Sequence, residues 1–206
     1  MSRATRLIFL LEEESMEAFL RAALPGILPA SMSYEAHPFR GKGDLLRKLK
    51  PRLKAYRSWL PEDHRIFVLV DRDNEDCRSL KELIDAMAAE ADFPTHRGAS
   101  SGAWRLASCI AIEELEAWYF GDWEGARRAY PRLPATIPEQ APYRWPDEIR
   151  GGTWEAFERI ARKAGYFSGG LRKIEAARAI GTHIDARRNR SESFRHFIAA
   201  IEDARA

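Results

Sequence analysis

The hexapeptide Asp71-Arg-Asp-Asn-Glu-Asp76 carries four acids, Asp71, Asp73, Glu75 and Asp76. Two further groups stand far away in sequence: Glu12, Glu13, Glu14 and Glu17 near the start, and Glu113, Glu114 and Glu116 near the middle. Carboxylates brought together without partners repel by roughly 1 kcal/mol per pair at about 4 Å in water, and several-fold more where the effective dielectric is ~20. A cluster of this kind needs protons, basic neighbours or a cation. Oxygen donors suit Mg²⁺, Mn²⁺ or Ca²⁺, and they disfavour a zinc site built on Cys or His.

The elements that would gather these acids are legible. Residues 66–70, Ile-Phe-Val-Leu-Val, run without a polar break directly before Asp71. Short β-branched and aromatic runs of this type are strands buried on both faces, as in a parallel sheet. Residues 7–11 form a similar run before the first acids, and residues 104–112 read as another strand before Glu113. A further strand is expected over 34–39. In parallel sheets the strand exits share one edge, and ligands bind at that edge.

Helical periodicity fills the gaps. The first helix is expected to start at Ser15 as cap, bury Phe19, Leu20, Ala23 and Leu24, and stop at Pro25 and Pro29. The second, over 45–59, has Asp44 as cap and is kinked or split by Pro51. The third covers 77–91, with Leu80, Leu83, Ile84 and Met87 on its apolar face, and 93–102 follow as a loop. A βαβαβαβ order predicts an α/β fold, a mostly parallel sheet of about four strands flanked by helices. Beyond Gly121 five prolines mark a loop-rich connection, and helices are expected over 153–164, 171–184 and 193–204. Residues 1–125 thus form the α/β domain and 126–206 a helical extension packed on it as one structural unit.

Each acid also has an ordinary use. Glu17 suits the positive end of its helix, Asp71 or Asp76 suits a helix cap, and 113–116 suit a first helical turn. An EF-hand loop wants Gly at its sixth position, where Asp76 stands. An apolar strand before Asp-x-Asp also resembles haloacid-dehalogenase-type phosphatases and nucleotide-sugar glycosyltransferases. The phosphatases usually open their domain with that strand, which is the third here.

Composition sets outer bounds. The 206 residues are 45% hydrophobic and 31% charged, with a net charge of +2, so overall charge makes no case for nucleic acid. The segment 40–57 is locally basic, through Arg47, Lys48, Lys50, Arg52, Lys54 and Arg57, and suits a phosphate backbone or a solvated helix face. Cys77 and Cys109 lack metal-type spacing and suit a reducing compartment. With no run long enough to span a membrane, a soluble cytoplasmic protein is expected. Most tryptophans are expected to pack in the core, and His37 and His64 to be structural.

A strand ending in Glu13 with Glu17 four residues on, and a later strand ending in Asp71-x-Asp73, resemble the Toprim domain of topoisomerases, primases and nucleases of the overcoming-lysogenization-defect type. The nearer resemblance is to a bacterial family of unknown function, DUF4276, thought to be Toprim-like. It rests on His37-Pro-Phe-Arg-Gly-Lys-Gly-Asp-Leu-Leu-Arg47, Leu69-Val-Asp-Arg-Asp73, Ile112-Glu-Glu-Leu-Glu-Ala-Trp118 and Gly169-Gly-Leu-Arg-Lys-Ile-Glu-Ala176. One departure is Glu14, where Toprim domains usually have Gly.

The resemblance implies two divalent ions, Mg²⁺ or Mn²⁺. Glu13, Glu17 and Asp71 would hold one. Asp73, Glu114 and Glu116 would help hold the other, with Glu113 an alternative to Glu114. Lys173 would stand near the scissile phosphate, and Arg72 would pair with the aspartates or contact phosphate. The implied activity is nucleic-acid hydrolysis in bacterial defence, beside an ATPase partner. A non-cutting binding module and a metal-dependent phosphatase or nucleotidyl enzyme are the alternatives.

Overall fold

The computed structural model describes residues 4–97 and 104–206. In chain order the described residues form β1 (Arg6–Leu11), α1 (Glu14–Ile27), β2 (Ser33–Pro38), α2 (Lys42–Arg57), β3 (His64–Asp71), α3 (Cys77–Ala89) and β4 (Leu106–Ala111). Then come α4 (Glu116–Gly121), α5 (Trp123–Ala129), three short 3₁₀ turns, α6 (Thr153–Lys163), α7 (Lys173–Gly181) and α8 (Glu192–Arg205). The strands make one four-stranded sheet of order β2-β1-β3-β4, parallel throughout. The expected α/β class and parallel sheet are what the structure contains.

Strand alternation sorts the core into two layers. Leu7, Phe9, Leu11, Phe67, Leu69, Ala107 and Cys109 pack with α1, α4 and the C-terminal helices. Ile8, Leu10, Ile66, Val68, Val70 and Ile110 face α2 and α3. The strand order reverses between β1 and β3. That reversal is the point where open α/β sheets present a crevice beyond the strands' carboxyl ends. β1 runs directly into Glu12 and Glu13, and β3 ends on Asp71.

The C-terminal helices close the first layer. Phe197 of α8 lies against Phe9, Phe67 and the stacked Trp118, with ring centroids 5.2–6.1 Å apart. Asp122 joins two parts of this layer. It accepts hydrogen bonds from the Arg188 guanidinium at 2.7 and 2.9 Å and from the Asp185 amide at 2.8 Å. α7 lies close against α1, where Gly181 leaves no room for a side chain. A Cβ there would stand 2.7 Å from the Phe19 carbonyl oxygen.

Several local expectations are corrected. α1 passes through Pro25 and ends at Ile27. Pro25 leaves the Arg21 carbonyl without its helical donor, and the Tyr34 hydroxyl donates to that oxygen over a long 3.5 Å. Ser15 lies inside the helix, and Glu13 takes the cap position. α2 is unbroken across Pro51, which sits on the exposed face, where the Arg47 carbonyl it deprives of a helical donor is open to solvent. It also starts earlier than expected, after Gly41, whose φ of 90° favours glycine, and Asp44 falls within its first turn. Leu83 is exposed because the buried stripe of α3 runs Leu80, Ile84, Ala88. Trp104, Trp118 and Trp123 are buried, but Trp145 is 64% exposed. α5 falls in the segment expected to be loop. The loop expected over 93–102 is described as far as Arg97, and the remainder lies outside the described residues. Among the described residues no helix is long and apolar enough to cross a membrane.

Candidate metal centre

The acids from three strand exits meet at the carboxyl edge of the sheet. Asp71 is the centre of the group. As the last residue of β3 it points into the α1/α4 layer, in step with Phe67 and Leu69, and it is only 5% exposed. Its Oδ1 finds no hydrogen-bond partner in the protein. Burial, and then the charges of Glu116, Glu12, Glu13 and Asp73, push its pKa well above the usual carboxylate range.

Glu116, in the first turn of α4, is 1% exposed. Burial raises its pKa to about 7, Lys173 opposes that rise, and Glu114 and Glu13 add to it. One turn along, Tyr119 is fully buried with a hydroxyl that also lacks a protein partner. Burial, and then the charges of Glu116, Glu13 and Asp71, raise its pKa. Two orphaned buried polar atoms thus share one electrostatic neighbourhood. Orphans of this kind are rare in folded proteins, and they cluster where a ligand or function requires them.

Lys173 starts α7 and approaches the same acids. Burial lowers its pKa, but Glu116, Glu13, Glu114 and Asp71 outweigh burial and leave it raised. Its ammonium lies 5.2 Å from the Trp154 ring centroid. Among the described residues it makes no ion pair within 4 Å, so its three donors are not committed to carboxylates. The structure therefore brings Glu13, Asp71, Glu116 and Lys173 together.

Glu13 accepts a hydrogen bond from the Ser15 hydroxyl, and the other expected residues also have protein partners. Glu17 pairs with Arg21 at 2.8 Å and is not among the main charges acting on Asp71 or Glu116. Glu114 sends one oxygen to the start of α6, accepting from the Thr153 amide (2.9 Å), the Thr153 hydroxyl (3.0 Å) and the Trp154 amide (2.9 Å). Asp76 is a helix cap, accepting from the Ser79 amide at 2.8 Å. Arg72 pairs with Glu113 rather than with the aspartates. Asp73 binds Lys42, whose Nζ donates to Asp73 (2.7 Å), Glu75 (3.1 Å) and the Arg72 carbonyl (3.3 Å).

Lys42, 9% exposed, is the residue the sequence reading missed. It lay in Gly41-Lys-Gly-Asp44, which reads as a turn. A lysine in the first turn of a helix runs against the dipole, and that was the available signal. Glu12 was also passed over as a site residue. It enters the α2/α3 layer and accepts from the Asp71 amide at 3.0 Å. The two loops carrying Asp73 and Glu113 are tied by a 2.9 Å backbone bond, and both residues hold left-handed backbone, with φ of 50° and 61°. Non-glycine residues held in that region cost of order 1 kcal/mol or more and collect at functional sites.

The donor set suits a hard cation: carboxylate oxygens only, one of them buried without a partner, with a lysine close by. Among the described residues no three His, Cys, Asp or Glu side chains close into a ready cage, so the acids line a rim.

Fold and rim together define an α/β protein with a buried acidic site at the switch point of a parallel sheet. The chain belongs to the DUF4276 family: the profile of this domain of unknown function matches residues 11–202. No curated protein and no solved structure matches it.

Proposed function

We propose that this protein is a Toprim-like, cytoplasmic enzyme that hydrolyses phosphodiester bonds in nucleic acid with Mg²⁺ or Mn²⁺. The observation that carries this reading is the orphaned, buried Asp71 oxygen beside Glu116, Glu13 and Lys173 at the sheet's switch point. Glu13, Asp71 and Glu116 would hold the cation, which when bound supplies charge stabilisation for phosphoryl transfer and a more acidic water.

The protein's own groups have separate tasks. Lys173, which makes no ion pair within 4 Å among the described residues, would receive a phosphate oxygen. Glu116, raised by burial to about 7 in the cation-free protein, would give up its proton as the cation binds. Tyr119 offers a hydroxyl donor to the same place. The nucleic-acid strand would run toward α2, which starts at this rim and exposes Arg47, Lys48, Lys54 and Arg57. Bacterial defence beside an ATPase partner is the setting that the Toprim likeness implies.

A second reading has its own support. Asp73, Glu17 and Glu114 are held by Lys42, Arg21 and the start of α6, which suits a module that binds without cutting. The deciding experiment incubates the full chain with single- and double-stranded DNA and RNA in Mn²⁺ and in EDTA. Metal-dependent cleavage is expected. Asp71→Asn should lower it by more than about 100-fold, the upper end of what loss of an outer metal partner costs. Binding without cleavage favours the second reading. Phosphate release from small esters alone makes the protein a phosphatase.

A further inference from the structure

We propose that the rim takes one divalent cation per chain, and that the Lys42 ammonium occupies the place of a second. The inference rests on the metal-dependent reading above and deepens it. It starts from an asymmetry across the sheet edge. On the α1/α4 side stand Asp71, Glu13 and Glu116, with an Asp71 oxygen that no protein group satisfies. On the α2/α3 side stand Asp73 and Glu75, with Glu12 nearby, and here a cation is already built in.

An ammonium has three protons. Those of Lys42 have three acceptors, Asp73 at 2.7 Å, Glu75 at 3.1 Å and the Arg72 carbonyl at 3.3 Å. The lysine side chain is 10% exposed, while those of Asp73 and Glu75 are 47% and 52% exposed. A second divalent ion at Asp73 would have to displace a charge-assisted bond and would meet the repulsion of the displaced ammonium, which remains tethered beside it. Glu114, the other acid expected at such an ion, has one oxygen committed to three donors at the start of α6. Lys173 differs from Lys42 in making no ion pair within 4 Å among the described residues, which leaves it for a ligand.

The test is Mn²⁺ binding to the full chain, with free Mn²⁺ followed by electron paramagnetic resonance. The wild type should bind one ion per chain in the tight phase, and Asp71→Asn should lose it. Asp73→Asn should leave the affinity of that ion within about threefold. Lys42→Met removes the built-in charge and leaves Asp73 and Glu75 without their cation, so it should bind a second ion. Two tight ions in the wild type overturn this inference and leave the metal-dependent reading standing. A tenfold or larger loss of affinity in Asp73→Asn overturns it too, even if Lys42→Met does not fold. A folded Lys42→Met that still binds one ion has the same consequence. No binding by the wild type overturns both proposals.

Discussion

The residues at the rim are tuned by burial more than by any one partner, and this sets their response to pH. The folded-state pKa values of Asp71 and Glu116 are raised, Glu116 to about 7 from 4.5. A raised acid favours the folded state while protonated. That stabilisation is complete below the unfolded pKa and is lost as pH rises through the folded value. The cation-free protein should therefore lose stability between about pH 4.5 and 7, with Glu116 alone contributing on the order of 3 kcal/mol. Thermal melts across that range in EDTA would show the decline, and excess Mg²⁺ should flatten it. Glu114 allows a second separation. Gln keeps a carbonyl oxygen for the Thr153 and Trp154 amides, whereas Ala loses the contact. Glu114→Ala should cost about 1–2 kcal/mol in chemical denaturation and Glu114→Gln clearly less. A large drop in Mn²⁺ affinity in Glu114→Gln would show that the carboxylate also binds metal.

Among the elements, the strands were the most legible. Unbroken apolar runs before Glu12 and Asp71, and a largely apolar one before Glu113, mark buried parallel strands, and the acids after them mark the edge. The order β2-β1-β3-β4 leaves no local trace, because pairing is decided by packing far along the chain. Nor do contacts such as that of Glu114 with Thr153, or Lys42 with Asp73, which join segments whose sequences carry no sign of each other. Pro25 and Pro51 misled because a proline's cost depends on where its orphaned carbonyl points, and that is a tertiary fact. One helix contact reaches the site itself. Gly181 of α7 faces the Phe19 carbonyl of α1, and α7 starts with Lys173. Gly181→Ala should force the helices apart, cost about 1–3 kcal/mol, and weaken cation binding through displacement of Lys173. Denaturant titration and Mn²⁺ titration of the same variant would measure the two effects.

For the whole molecule, the relevant fact is that sheet and C-terminal helices share one hydrophobic cluster, from Phe9 and Phe67 to Phe197 and Ile201. Melting followed by tryptophan fluorescence and by far-ultraviolet circular dichroism should therefore coincide. A ligand bound only by the folded form should shift both curves together, by about 2.7 kcal/mol at one hundred times its Kd. Separate transitions would mean that the C-terminal helices unfold independently. Lys173 gives that unity an electrostatic side. A positive charge that interacts with both Asp71 and Glu116 comes from a helix about a hundred residues further along the backbone than Asp71. A full-length Lys173→Met chain would retain the repulsion and forfeit its counterweight. Its strand ends would then be held charge-neutral only by bound protons, and that variant should be most stable in mild acid.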